Sequence, residues 1–249
     1  MLSGFKDMDI KNNSLPKVTQ IISSMTHDDN LIKWANNLGL YQNKNSNNVR
    51  LKGATIDFLS KNLINDYLQN GNYDINKYNI KDYTILNKSI NITESFIKWF
   101  KYINENKTVT ILDKNVDITM NVFHGICDLL LDIDGKVYLI TYKSVNKISY
   151  KHYLEISAYR YMLKNLYNFS INGCMILQLN KDNISYEEYL LDLCSDRNNL
   201  FMNNCEKTYL SLVFSYINRI KIENDFSTIL KENENWENYV CTIIQKKKY

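Results

Sequence analysis

Asp134-Gly135 stands between two apolar runs, Gly125–Ile133 and Val137–Tyr142, and no other pair of residues in this chain limits its fold so sharply. Asp-Gly supplies the two left-handed backbone positions that a tight two-residue hairpin needs, and its twist suits the strands on either side. The flanking runs are rich in Leu, Ile, Val and Tyr, as strands are. A third β-rich stretch, Thr108–Leu112, precedes them and Tyr150–Leu166 follows with helical spacing. A three-stranded meander followed by a helix is therefore the expected centre of the molecule.

Around that centre the sequence predicts helices at Val18–Ser24, Asn30–Leu38, Ala54–Leu68 and Thr93–Ile103. In the third, Ile56, Leu59, Leu63, Ile64, Tyr67 and Leu68 recur at helical intervals; in the fourth, Phe96, Ile97, Phe100 and Ile103 do. The Asn-rich segment Gln42–Asn48 reads as a surface loop. Strands are expected at Cys174–Leu179 and Ser185–Leu191, and a long helix over Asp196–Ile222. Helices, a meander, a helix, then more strands make an α/β fold with a mixed central sheet flanked by helices. At 249 residues the chain suits one domain, with an N-terminal helical section over about 15–106 and a core over about 107–225.

Composition narrows the function. The net charge of +3 rules out a bulk basic DNA-binding tail, so any nucleic-acid contact must come from local patches. No apolar run approaches the roughly 18–20 residues that span a bilayer, and Met1–Asp7 lacks the apolar segment of a secretion signal. No membrane contact is expected. The five cysteines, Cys127, Cys174, Cys194, Cys205 and Cys241, include no C-x-x-C pair. They fit small buried hydrophobes in an intracellular, reducing compartment, a host cytoplasm or virion included if the chain is viral. His27, His124 and His152 have no zinc spacing, and no cysteine pattern fits an iron–sulfur cluster.

The polar residues of the core carry the chemistry. Asp128 interrupts an apolar run, Lys143 ends the next strand, and Asp113 ends the strand before. Glu155 and Tyr159 lie one turn apart on the following helix, hence on one face. Carboxylates brought together in this way can hold Mg²⁺ or Mn²⁺, which prefer oxygen ligands, and a neighbouring lysine can orient a water. Lys143, Lys147, Lys151, His152 and Arg160, interleaved with Tyr142, Tyr150, Tyr153 and Tyr159, combine cations for phosphates with rings for unpaired bases. The same residues also suit an ordinary amphipathic helix.

Gly125-x-x-Asp128, the hairpin, Leu139-Ile140-Thr141-Tyr142-Lys143 and Glu155-x-x-x-Tyr159 resemble the core of the PD-(D/E)XK nucleases. That core usually reads G-x-x-D, then h-h-D-x-K, then Q-x-x-x-Y, and the branch most similar is the RecB-like exonucleases, phage and mitochondrial genome maintenance types included. Upstream, Leu15-Pro16-Lys17-Val18-Thr19-Gln20-Ile21-Ile22 and Leu31-x-x-Trp34-Ala35 resemble that branch's P-S-V-T-x-I-L and L-x-x-W. Lys52-Gly53-Ala54-Thr55-Ile56-Asp57 is similar to its R-G-T-x-h-H. The resemblance spans about residues 15–165 and implies a restriction-endonuclease-like core that hydrolyses DNA with Mg²⁺ or Mn²⁺, acting from an end.

In that reading Asp128, Lys143 and Glu155 are catalytic. Asp113, Asp128 and Glu155 hold metal with help from Asp57, while Thr19, Lys147, Lys151, Tyr159 and Arg160 meet single-stranded or free-ended DNA. The departures are specific: Thr141 stands at the D-x-K carboxylate, Asp57 at the histidine, Asp113 at a glutamate and Glu155 at the glutamine. An acid absent from the strand and gained on the adjoining helix implies that Glu155 has taken over its role. The other reading, which Thr141 favours, is a catalytically inactive nuclease fold serving as a DNA-binding or structural component, for instance of a viral particle.

Overall fold

The computed structural model describes residues 15–25 and 43–246, with side chains described for 15–25 and 51–229. Five strands form one sheet: β1 (Val109–Thr119), β2 (His124–Ile133), β3 (Lys136–Lys143), β4 (Gly173–Leu179) and β5 (Tyr186–Asp192). They lie in sequence order, β1-β2-β3-β4-β5. The first three are antiparallel, β3 and β4 are parallel, and β5 returns antiparallel to β4. The helices are α1 (Val18–Met25), α2 (Asn43–Asn70), α3 (Tyr83–Asn106), α4 (Tyr150–Tyr167) and α5 (Asp196–Lys246). Helix α4 is the crossover that parallel β3 and β4 require.

The Asp-Gly turn forms as expected. Asp134 has φ 54° and Gly135 φ 79°, and Ile133 pairs directly with Lys136. The Gly135 amide donates to Asp132 Oδ1 at 2.7 Å, and the Thr108 amide donates to Asp134 Oδ1 at 3.0 Å, tying the start of β1 to the turn.

Consecutive apolar residues of the central strands sort to opposite faces. Leu130, Leu139 and Ile176 pack with Leu154, Ile156 and Met162 of α4 and with Met202 and Tyr209 of α5. Their neighbours Leu131, Ile140 and Leu177 pack with Ile64 of α2 and with Phe96 and Trp99 of α3. This two-sided burial explains why the strands read as near-continuous apolar runs rather than alternating ones. Truncating Leu139 or Ile140 to Ala would leave a void in one layer at a cost of about 2–5 kcal/mol. The observed architecture is α/β, a mixed five-stranded sheet between helical layers.

Several elements depart from expectation. Asn43–Asn48 opens helix α2 rather than forming a loop. The Asn bias of the whole chain makes Asn a poor turn marker here. Strand β1 runs on to Thr119, so Asp113 lies inside it, beside an irregularity between Ile111 and Asp113. Helix α5 continues far beyond Ile222, although among its described side chains the last buried apolar one is Ile217. Cys127, Cys174 and Cys205 are buried but Cys194 is exposed, so not every cysteine fills core. The helix expected at Asn30–Leu38 and the motif Leu31-x-x-Trp34-Ala35 lie outside the described residues, as do His27 and the side chain of Cys241.

Candidate active site

The site grows from the place where β2 and β3 part. Their ladder runs from Ile133↔Lys136 back to Leu129↔Ile140 and stops at the next residue, Asp128. With no ladder partner on β2, the Tyr142 amide donates to Asp128 Oδ2 at 3.2 Å, and the Thr141 hydroxyl donates to the same oxygen at 2.7 Å. The strand divergence thus brings a carboxylate into the sheet interior, where it is only 4% exposed. A buried carboxylate needs such donors, because leaving it unpaired costs several kcal/mol. Thr141 is a hydrogen-bond donor to Asp128.

A third donor comes from α2. Lys61 Nζ lies 3.0 Å from Asp128 Oδ1 and 5.6 Å from the centre of the Tyr142 ring. Burial alone would lower the Lys61 pKa. The charge and hydrogen bond of Asp128, with the charges of Asp57 and Glu155, outweigh burial and hold it above its ordinary value. The ammonium therefore sits in the field of three carboxylates. Asp57, one turn before Lys61, is exposed, and its Oδ1 accepts from the Ser144 hydroxyl at 2.9 Å.

The other side of the cluster belongs to β3 and α4. Lys143 Nζ donates to Glu155 Oε1 at 2.8 Å, and the Tyr159 hydroxyl donates to that oxygen at 3.1 Å. Glu155 Oε2 is left with acceptor capacity. Burial, then the charges of Glu155 and Asp128, push the Tyr159 phenol well up, so it stays a donor. The Tyr159 ring is seated against Gly125. A Cβ there would come 2.5 Å from Tyr159 Cε1 and 3.0 Å from Val18 Cγ2, so this position in the G-x-x-D motif must be small. His152 accepts from the Ser149 amide through Nδ1 at 2.9 Å, and burial together with the Lys143 charge pushes its pKa down. It serves the start of α4.

The structure thus gathers Asp57, Asp128, Lys143 and Glu155, and adds Lys61, which the sequence reading missed. The i, i+4 spacing of Asp57 and Lys61 on one helix was the available signal. Asp113 is not gathered in. It is exposed on the edge strand opposite Leu130, and its Oδ1 accepts from the adjacent Lys114 amide at 2.8 Å. Two expected DNA contacts are corrected. Arg160 is buried against α5, where it donates to Glu206 Oε1 at 2.6 Å, Asn203 Oδ1 at 3.1 Å and Asn199 Oδ1 at 3.2 Å. Three of its five N–H groups hold the two helices together. Tyr159 is also buried, and it positions Glu155. Thr19 and Lys147 are exposed, and Lys151 is partly buried.

Whether this donor set suits a divalent cation can be asked of its chemistry. Asp57, Asp128 and Glu155 are hard oxygen donors, each retaining acceptor capacity beyond its present bonds, and the Lys61 ammonium already marks a place that favours positive charge. In type and charge the residues fit Mg²⁺ or Mn²⁺. They are not a closed cage: among the described residues no three His, Cys, Asp or Glu side chains come together as one ligand group.

No family model matches the chain, and no curated protein does. Among solved structures, it is similar to the crystal structure of an alkaline exonuclease, LHK-Exo, from Laribacter hongkongensis. The identity is 17%, covering 67% of this chain and 83% of that one, with a TM-score of 0.31. The crystal structure of LHK-Exo in complex with dAMP gives 16% identity over 67% and 83%, with a TM-score of 0.30. Overlap this slight transfers no residue role from one chain to the other. No helix among the described residues is long and apolar enough to cross a membrane.

Proposed function

We propose that this chain is a DNA nuclease that works with Mg²⁺ or Mn²⁺ and hydrolyses phosphodiester bonds from a strand end. The observation that supports the reading is a pair of buried acids near the parting of β2 and β3, Asp128 held by Thr141, the Tyr142 amide and Lys61, and Glu155 held by Lys143 and Tyr159, with Lys61 in the field of both. Charges are costly to bury, and a buried group of them marks a candidate functional site.

Asp128 and Glu155 would hold the cation; Asp57, which accepts from Ser144, does not join them in one ligand group. Bound there, the cation would make a water more acidic and offset charge on the phosphate. Lys143, fixed on the sheet, can hold a water through its remaining N–H groups and face the charge that builds on the phosphate. Tyr159 and Lys143 fix Glu155 Oε1, leaving Oε2 with acceptor capacity. Thr141 and the Tyr142 amide orient Asp128.

The deciding experiment is cleavage of linear DNA by purified protein with Mg²⁺ or Mn²⁺, stopped by EDTA, and abolished in Asp128→Asn while the melting curve stays cooperative. One specific observation favours the second reading, a nuclease fold that binds DNA without cutting it: Asp128 already has an internal cation, Lys61, at 3.0 Å. Salt-sensitive DNA binding with no cleavage under any divalent cation would establish that reading instead.

A further inference from the structure

Beside the charged cluster, α2 and α3 open into a groove of about 320 Å³ whose floor is mostly apolar, with Ile56 and Ile85 facing each other. Three lysines line it, each from a different element: Lys52 from α2, Lys88 from α3 and Lys181 from the β4–β5 loop. Ser144 lines it too, and Ser144 is the residue bonded to Asp57 of the cluster. A second cleft, of about 270 Å³ with a polar lining, shares Ser144 and Lys181 with the first. The two adjoin at Ser144 and Lys181, past the edge of the site.

This composition is selective. Cations placed around an apolar floor suit a ligand with repeated anionic charge and a flat, weakly polar part between the charges, as a single nucleic-acid strand has. A duplex offers its phosphates on a broad convex cylinder, and a notch of this volume does not admit it. The floor of the first groove has aliphatic side chains and no amide side chain, so contacts on it would be independent of sequence, whereas Asn146, Gln178 and Asn180 line the adjoining cleft. Two of the lysines carry replaceable partners: Lys52 pairs with Asp82 at 2.8 Å and Lys88 with Asp182 at 3.1 Å. Both pairs are partly exposed, and such pairs contribute little, so a phosphate can take the carboxylate's place.

We propose that this groove is the track along which a single DNA strand approaches the charged cluster, its phosphates held by Lys52, Lys88 and Lys181 and one unpaired nucleotide resting on Ile56 and Ile85. The proposal rests on the reading of the cluster as a DNA-handling site, but not on cleavage.

The test is binding of a fluorescent single-stranded oligonucleotide in EDTA, followed by anisotropy across a salt series. The triple variant Lys52→Glu/Lys88→Glu/Lys181→Glu should bind at least about tenfold more weakly, and its salt slope should flatten by about 2. The neutral set Lys52→Gln/Lys88→Gln/Lys181→Gln should move the same way by less, which guards against a folding defect in the first. Asp182→Asn, which frees Lys88, should tighten binding. Charge reversal at Lys207 and Lys221 on α5, across the sheet, should change little. Wild-type affinity and slope in both triple variants would overturn the proposal, as would a wild-type protein that does not bind the oligonucleotide. Binding that depends on the three lysines without any cleavage would uphold the groove and refute the nuclease reading. Cleavage with binding indifferent to them would do the reverse.

Discussion

Two acid–lysine pairs lie side by side in this molecule, and they are built differently. Lys143 and Glu155 meet at 2.8 Å with side chains 16% and 10% exposed, the lysine rising from a central strand and the glutamate from the helix packed on it. Lys61 and Asp128 meet at 3.0 Å, but Lys61 reaches in from α2 with 39% of its side chain exposed. The first pair is enclosed and braced by Tyr159. The second joins an enclosed acid to a lysine that can leave. A site that handles charged substrates needs both: one arrangement that keeps its geometry, and one that can exchange partners. Both enclosed acids are therefore expected to carry rate, while the lysine that can leave, Lys61, is expected to tune affinity for cations.

The sharpest way to break that contrast is at Asp128. Asp128→Asn should lower DNA cleavage by about 10³-fold, read as initial rate on linear DNA, because the oxygen that Thr141 and Tyr142 hold in place loses its charge. Activity within a few-fold of wild type would remove Asp128 from the chemistry.

Glu155 comes next. Glu155→Gln, which restores the residue of the motif this helix resembles, should cost about 10²-fold here, and Thr141→Asp combined with it should recover part of the loss. That recovery is the signature of one carboxylate role moved between two positions. An active Glu155→Gln single variant would show that no such migration occurred.

Stability should separate the two lysines. Lys143→Met leaves Glu155 enclosed without its cation and should cost about 3 kcal/mol in chemical denaturation. Lys61→Met should cost less, about 1–2 kcal/mol, because Asp128 keeps the Thr141 hydroxyl and the Tyr142 amide as donors and Lys61 is itself only half-buried, and it should lower the Mg²⁺ concentration needed for half-maximal cleavage. Equal losses at the two positions would erase the distinction drawn between the pairs.

The smallest effect is expected at Tyr159. Tyr159→Phe removes one hydrogen bond to Glu155 and should cost about 1 kcal/mol, with cleavage reduced several-fold and half-saturating Mg²⁺ raised. A loss as large as that of Asp128→Asn would give Tyr159 a direct part in the reaction.

Much of this site was legible before folding because its parts are local. The Asp-Gly turn sets the register of β2 and β3, and that register puts Asp128 and Lys143 on neighbouring strands. Glu155 and Tyr159 share a helix face by spacing alone. Residues whose roles depend on distant partners were read less well. Arg160 looked like a cation for DNA, and its sequence neighbourhood gives no sign that Glu206, 46 positions away, would claim it. Asp113 looked like a ligand because it seemed to end a strand; with β1 continuing through it, the side chain stays at the exposed edge.

The sequence by itself determined the alternation of elements, the hairpin and the placing of three charged residues near one strand pair, because turn geometry and side-chain periodicity act over a few residues. Only the tertiary structure decided which charges meet. Lys61 reaches Asp128 across 67 positions, a closure that no local preference encodes. It is selected because a carboxylate enclosed where two strands part gains more from a nearby ammonium than that lysine loses by leaving water.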